Sequence, residues 1–181
     1  PSKVGPIVEL LKAVKEAEGT RIDGMGMQGH YGIDSPTINQ FIDAAKAYTE
    51  VVDSVALTEL DIKASGLYDG TTATLADEYN RQAYRYKEIY ETMLQLDQEG
   101  VNFTGMTVWG VIDGNSWLQT SNTVGGASDG VHAQCPLLFD DNYKVKPAFW
   151  GMVDPSKLEP SIANVTILQN DAAAQDVGTT Y

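Results

Sequence analysis

The feature that most constrains this chain is a threefold recurrence of one unit. A segment with apolar residues at helical spacing is followed by a short apolar run, and each run ends in polar or aromatic side chains. In PIVELLKAVKEAEG, Ile7, Leu10, Leu11, Val14 and Ala17 form one stripe, and Gly19 stops the helix. RIDGMGMQGH then reads as a buried strand whose functional end carries Gln28 and His30. Ser35 as N-cap and Pro36 at the first helical position predict a second helix through Ile38, Phe41, Ile42, Ala45 and Tyr48. VVDSVALTELDI is the second strand, ending near Glu59 to Asp61. A third helix is expected from near Thr74, with Asp77 three residues on, through Leu75, Tyr79, Tyr86, Ile89, Met93 and Leu96 to Gly100. The third strand follows as GMTVWGV, Gly105 to Val111.

Strands alternating with helices of this length imply parallel βαβ units, so the class is α/β. Gln28 and His30, Glu59 and Asp61, and Trp109 with Asp113 and Trp117 all gather at the C-terminal ends of strands. In a (β/α)8 barrel that is where active sites lie. A doubly wound sheet satisfies the alternation equally well, but no GxGxxG or phosphate loop follows any strand.

Beyond the third strand, a loop rich in Gly, Ser, Asn and Asp is expected from Thr120 to Lys144, of a length that usually covers a site. A short helix near Pro147 to Val153 follows, and residues 159–181 read as a linker or poorly ordered end. The 181 residues, 43% hydrophobic, suffice for one ordinary core. Twelve Lys and Arg against 25 Asp and Glu give a formal charge of −13, which repels phosphate backbones and anionic headgroups. Nucleic acid and membrane surfaces are therefore not expected partners, whereas a neutral polysaccharide approaches without penalty. Cys135 is the only cysteine and excludes an intrachain disulfide, which leaves the redox compartment open. No signal-like stretch opens the chain at Pro1 and no apolar run approaches a membrane span.

Glu59 and Asp61 flank Leu60, so strand alternation points the two carboxylates to one side. Like charges repel unless a donor sits between them, and His30 at the end of the preceding strand is the candidate. Taken alone, the pair reads equally well as two solvated strand-end residues. Trp109 and Trp117, eight positions apart, could stack on sugar rings, although an arbitrary tryptophan pair more often packs in a core or loop. His132 reads as an exposed polar residue, and two histidines without Cys/His spacing imply no zinc site.

IDGMGMQGHY, then ALTELDI, then TVWGVIDGNSWL and PLLFDDNYKVKPAFW, in that order and spacing, resemble the glycoside hydrolase family 10 endo-1,4-β-xylanases. The resemblance covers roughly residues 5 to 155. It implies the C-terminal part of a (β/α)8 TIM barrel, about strands six to eight with flanking helices, occupying residues 1–158. It also implies that Glu59 is the nucleophile, that His30 and Asp61 form its supporting network, and that Gln28, Trp109 and Trp117 bind the substrate sugar. Retaining hydrolysis of xylan or xylo-oligosaccharide follows, without cofactor or metal, in a secreted or extracellular enzyme. In the family the acid/base is a glutamate at the end of strand four, so it and strands one to five belong to an N-terminal half not found here. Asp113 is no substitute, because the resemblance gives it no proton-transfer role. An isolated half would leave two sheet edges unpaired and is expected to be unstable and inactive until that half completes the barrel.

Two other classes compete. A non-catalytic carbohydrate-binding module also uses tryptophan faces, but such modules are β-sandwiches of short strands rather than helix–strand alternations. A non-glycosidase barrel such as an aldolase or metal-dependent hydrolase needs a strand-end lysine or a ligand cluster, and neither is visible.

Overall fold

The computed structural model describes residues 3–64, 72–118 and 134–159. Helix α1 (Val4–Glu16) leads to strands β1 (Gly24–Met27) and β2 (His30–Gly32), helix α2 (Ile38–Thr49), strand β3 (Ser54–Lys63), helix α3 (Thr72–Gln98) and strand β4 (Phe103–Val108). A 3-10 turn at Asp113–Asn115, helix α4 (Pro147–Val153) and a last 3-10 turn at Pro155–Lys157 complete the order. Every strand pairs with β3 in parallel: β1 along its first half, β2 along its last residues, and β4 on the opposite side. This is the α/β arrangement expected from the alternation, and a parallel sheet covered by helices excludes a β-sandwich module.

The first strand differs from its expected form. It breaks at Gln28–Gly29 into β1 and β2, both still partnered by β3. Gly29 has φ +91°, and a Cβ there would come within 3.2 Å of Leu57 and 3.3 Å of Leu60, so only glycine fits the break. β4 starts two residues before the expected Gly105 and ends at Val108, and α3 starts at Thr72 rather than Thr74.

Helix α2 is capped by Thr37, not by Ser35. The Thr37 hydroxyl accepts from Gln40 N–H at 3.3 Å, and Gln40 Oε1 accepts from Thr37 N–H at 3.0 Å. Ser35 is occupied otherwise: its carbonyl closes a turn by accepting from Gly32 N–H at 2.7 Å. The Pro36 carbonyl accepts from the buried Arg85 guanidinium, so Pro36 precedes the helix instead of opening it.

The core lies between one face of the sheet and helices α2 and α3. Phe41, Ala45, Tyr48, Tyr86, Ile89 and Leu96 meet Val55, Leu57, Leu60 and Ile62 there. These strand residues change parity, from odd at 55 and 57 to even at 60 and 62. The cause is a register shift: Met27 opposes Leu57 but His30 opposes Asp61, four steps on β3 against three on β1–β2, while against β4 two steps oppose three from Val55 to Leu57 and three oppose two from Leu57 to Leu60. One extra residue in β3, a β-bulge, lets Leu60 rejoin the core face. α4 packs onto α3 almost backbone to backbone, since a Cβ on Gly151 would stand 2.3 Å from the Ala83 carbonyl. Leu10, placed on the buried stripe of α1 by its spacing, is exposed, because α1 meets the core with Leu11 and only partly with Ile7 and Val8.

Candidate active site

The bulge in β3 decides where the carboxylates go. With unbroken alternation Glu59 would share the helix-covered face with Val55 and Leu57; the extra residue turns Glu59 and Asp61 to the other face while Leu60 and Ile62 stay buried. Glu59 N–H donates to the Gln28 carbonyl at 2.7 Å and Asp61 N–H to the Gly29 carbonyl at 3.2 Å, so the β1–β2 break is laced to the site. β2 then sets His30 level with Asp61 in the parallel register.

His30 bridges the two acids. Its Nδ1 lies 3.0 Å from Asp61 Oδ2 and its Nε2 lies 3.2 Å from Glu59 Oε2. An ionised Asp61 accepts only, which fixes a proton on Nδ1; a protonated ring donates to both acids, a neutral one to Asp61 alone. Trp117 Nε1–H donates to the same Asp61 oxygen at 2.8 Å, and its ring meets the edge of His30 with centroids 5.1 Å apart. The two carboxylates are not equivalent. Asp61 is 1% exposed and held by two donors, whereas the Glu59 side chain is 25% exposed and only its Oε2 is bonded among the described residues. Asp61 is thus enclosed with both of its donors on Oδ2, whereas Glu59 keeps Oε1 without a hydrogen-bond partner among the described residues.

Trp109 N–H extends the ladder by donating to the Leu60 carbonyl at 2.9 Å, which brings the residue beside Glu59. Trp109 and Trp117 are 46% and 45% exposed, so both leave ring surface open rather than packing in the core. The Gln28 side chain is also exposed. His30, Glu59, Asp61 and Trp117 thus form one bonded cluster, with Trp109 and Gln28 adjoining it through backbone bonds. His132 and most of the expected Thr120–Lys144 loop fall outside the described residues, as does the 159–181 tail apart from Glu159. The described part of the loop is ordered by bridges from Phe139 to Ile112 and to Val145.

Two features escaped sequence reading. A cavity of about 280 Å³ adjoins the cluster, lined by His30, Tyr31, Asp61, Lys63, Trp117 and Gln134 among others. Burial pushes the Tyr31 phenol up to about 12. The second is a buried ion pair: Lys146 Nζ lies 2.9 Å from Asp113 Oδ2, with both side chains almost wholly enclosed. Burial pushes the Asp113 carboxyl above its usual range and the Lys146 ammonium below its own.

Comparison with known proteins bears on the chain and its fold. The model of glycosyl hydrolase family 10 matches residues 1–155. An endo-1,4-β-xylanase C of Paenibacillus barcinonensis is 35% identical over 161 residues, covering 87% of this chain and 14% of that protein. A solved family 10 structure from the same organism superposes with a TM-score of 0.71 at 33% identity, covering 87% of this chain and 43% of that one. A xylanase A from P. fluorescens subsp. cellulosa, solved with xylopentaose, superposes with a TM-score of 0.69 at 30% identity and is covered to 46%. The chain spans less than half the length of each of these relatives.

Proposed function

From the premise that this chain belongs to glycosyl hydrolase family 10, we propose that it supplies the nucleophile side of a retaining endo-1,4-β-xylanase. Its three barrel strands are part of a (β/α)8 barrel whose remaining strands bring the acid/base. The observation that carries this reading is Glu59, a part-exposed carboxylate at a strand end, tied through His30 to the buried Asp61.

In the proposed reaction Glu59 attacks the anomeric carbon of a xylosyl unit, and the glycosidic oxygen leaves as it takes a proton from a second carboxyl group about 5 to 5.5 Å away. Water, losing its proton to that second group, then cleaves the glycosyl-enzyme and restores Glu59. Asp61 does not serve as the second group, because it is enclosed and committed to His30 and Trp117. The remaining half of the barrel supplies it. His30 and Asp61 hold Glu59 oriented, Trp109 and Trp117 wall the sugar, and Gln28 binds its hydroxyls. Polymeric xylan does not cross a membrane, so the site of action is extracellular.

The test is hydrolysis of an aryl β-xylobioside by the chain alone and mixed with an N-terminal half carrying strands one to five. Activity only in the mixture, lost with Glu59→Ala, is the expected result. Activity that survives Glu59→Ala overturns the assignment.

A further inference from the structure

The bond from Trp117 to Asp61 joins two separate elements, since Asp61 sits on β3 and Trp117 just beyond the 3-10 turn at Asp113–Asn115. What spaces them is the segment 134–137, wedged between the two. On the strand side, Ile62 N–H donates to the Pro136 carbonyl at 3.3 Å, and Gln82 Nε2 donates to both the Ile62 and Cys135 carbonyls at 2.7 Å. On the turn side, Leu137 N–H donates to Asp113 Oδ1 at 2.8 Å, and Asp113 N–H to the Phe139 carbonyl at 3.0 Å. Lys146 Nζ is the hub: it meets Asp113, the Cys135 carbonyl at 2.6 Å and the Leu137 carbonyl at 2.8 Å.

We propose that Lys146 and Asp113 are positioning residues for Glu59, fixing the Trp117 indole against Asp61 and, through Asp61 and His30, the attacking carboxylate. The inference rests on Glu59 as nucleophile. It follows from how little else restrains Asp61: both its donors share Oδ2, and Oδ1 has no hydrogen-bond partner among the described residues. If the wedge loosens and the indole withdraws, one bond to His30 is left, and the Asp61 carboxylate, the His30 ring and Glu59 turn together. A general structural role would lower stability without touching that bond.

The test is made in the assembled barrel, with Lys146→Met and with the double variant Asp113→Asn, Lys146→Met, which leaves no charge buried alone. Two quantities are read: the Trp117 indole N–H resonance, and kcat and KM on an aryl β-xylobioside. The expected result is an upfield shift and faster exchange of that N–H, with kcat lowered about 10- to 100-fold and KM changed far less. A folded variant with an unmoved indole resonance and kcat within about twofold of the parent overturns the proposal, and so does failure of both variants to fold, which would make the pair a prop of the fold alone. If the parent barrel hydrolyses nothing, the functional reading has failed, while the indole resonance still decides whether Lys146 and Asp113 set the Trp117–Asp61 bond.

Discussion

Two sets of acidic and basic side chains in this molecule behave as opposites. In one, Glu59 and His30 keep a quarter or so of their surface open, and their partner Asp61 is buried beneath them. In the other, Asp113 and Lys146 are enclosed to within a few per cent, and the ammonium is saturated by a carboxylate and two carbonyls. Exposure separates their work. A carboxylate that must meet a substrate keeps an unengaged oxygen at a surface, whereas a charge that holds segments together needs every donor satisfied, because an unpaired buried charge is costly.

The comparison is most directly broken at Glu59, the proposed nucleophile. Glu59→Ala is expected to lower kcat/KM on an aryl β-xylobioside about 10,000-fold or more in the assembled barrel, while moving its denaturation midpoint hardly at all. A large loss of stability there would erase the distinction. Lys146→Met should act foremost on stability, since it strands the Asp113 carboxylate, and its loss of kcat should stay far below that of Glu59→Ala. A destabilisation of about 3 to 5 kcal/mol is expected by urea denaturation, and the double variant with Asp113→Asn should recover much of it.

Tyr31 measures the boundary between the two settings. Its phenol is raised from 10.0 to about 12, first by burial. A raised folded pKa contributes stability that is complete below pH 10 and is lost as the pH climbs through about 12. The loss is about 2 to 3 kcal/mol at most. Unfolding followed from pH 9 to 12 should show that decline in the parent and a smaller one in Tyr31→Phe; equal declines would mean that the cavity beside His30 is wetter than its lining suggests.

Much of this was legible in the sequence because it depends on local period. Alternating helices and strands predicted the parallel sheet, and the T-E-L-D spacing with His30 one strand earlier predicted the bridged carboxylates. The N-cap was misplaced although its signal was present: Thr37 and Gln40 have capping-box spacing, and the Ser35–Pro36 pair, itself a turn signal, competed with it. Leu10 shows a different limit, for periodicity identifies an apolar face but not what covers it. The Lys146–Asp113 pair lies 33 residues apart and depends on the loop between folding back, so no window of sequence contains it. The bulge was hidden for the same reason, since an extra residue is extra only relative to the partner strand.

That bulge also says how such a site can be adjusted. Core positions Val55 and Leu57 before it and Leu60 and Ile62 after it are each locked by the pleat, yet the count between the two pairs is not. The stretch holding Thr58 and Glu59 is thus a place in β3 where chain length can change by a residue without turning the core inside out. A change of count there would alter how Glu59 is presented while leaving the core pairs in place. Along this strand, reach is tuned by insertion and deletion, a kind of variation that substitution scanning never samples.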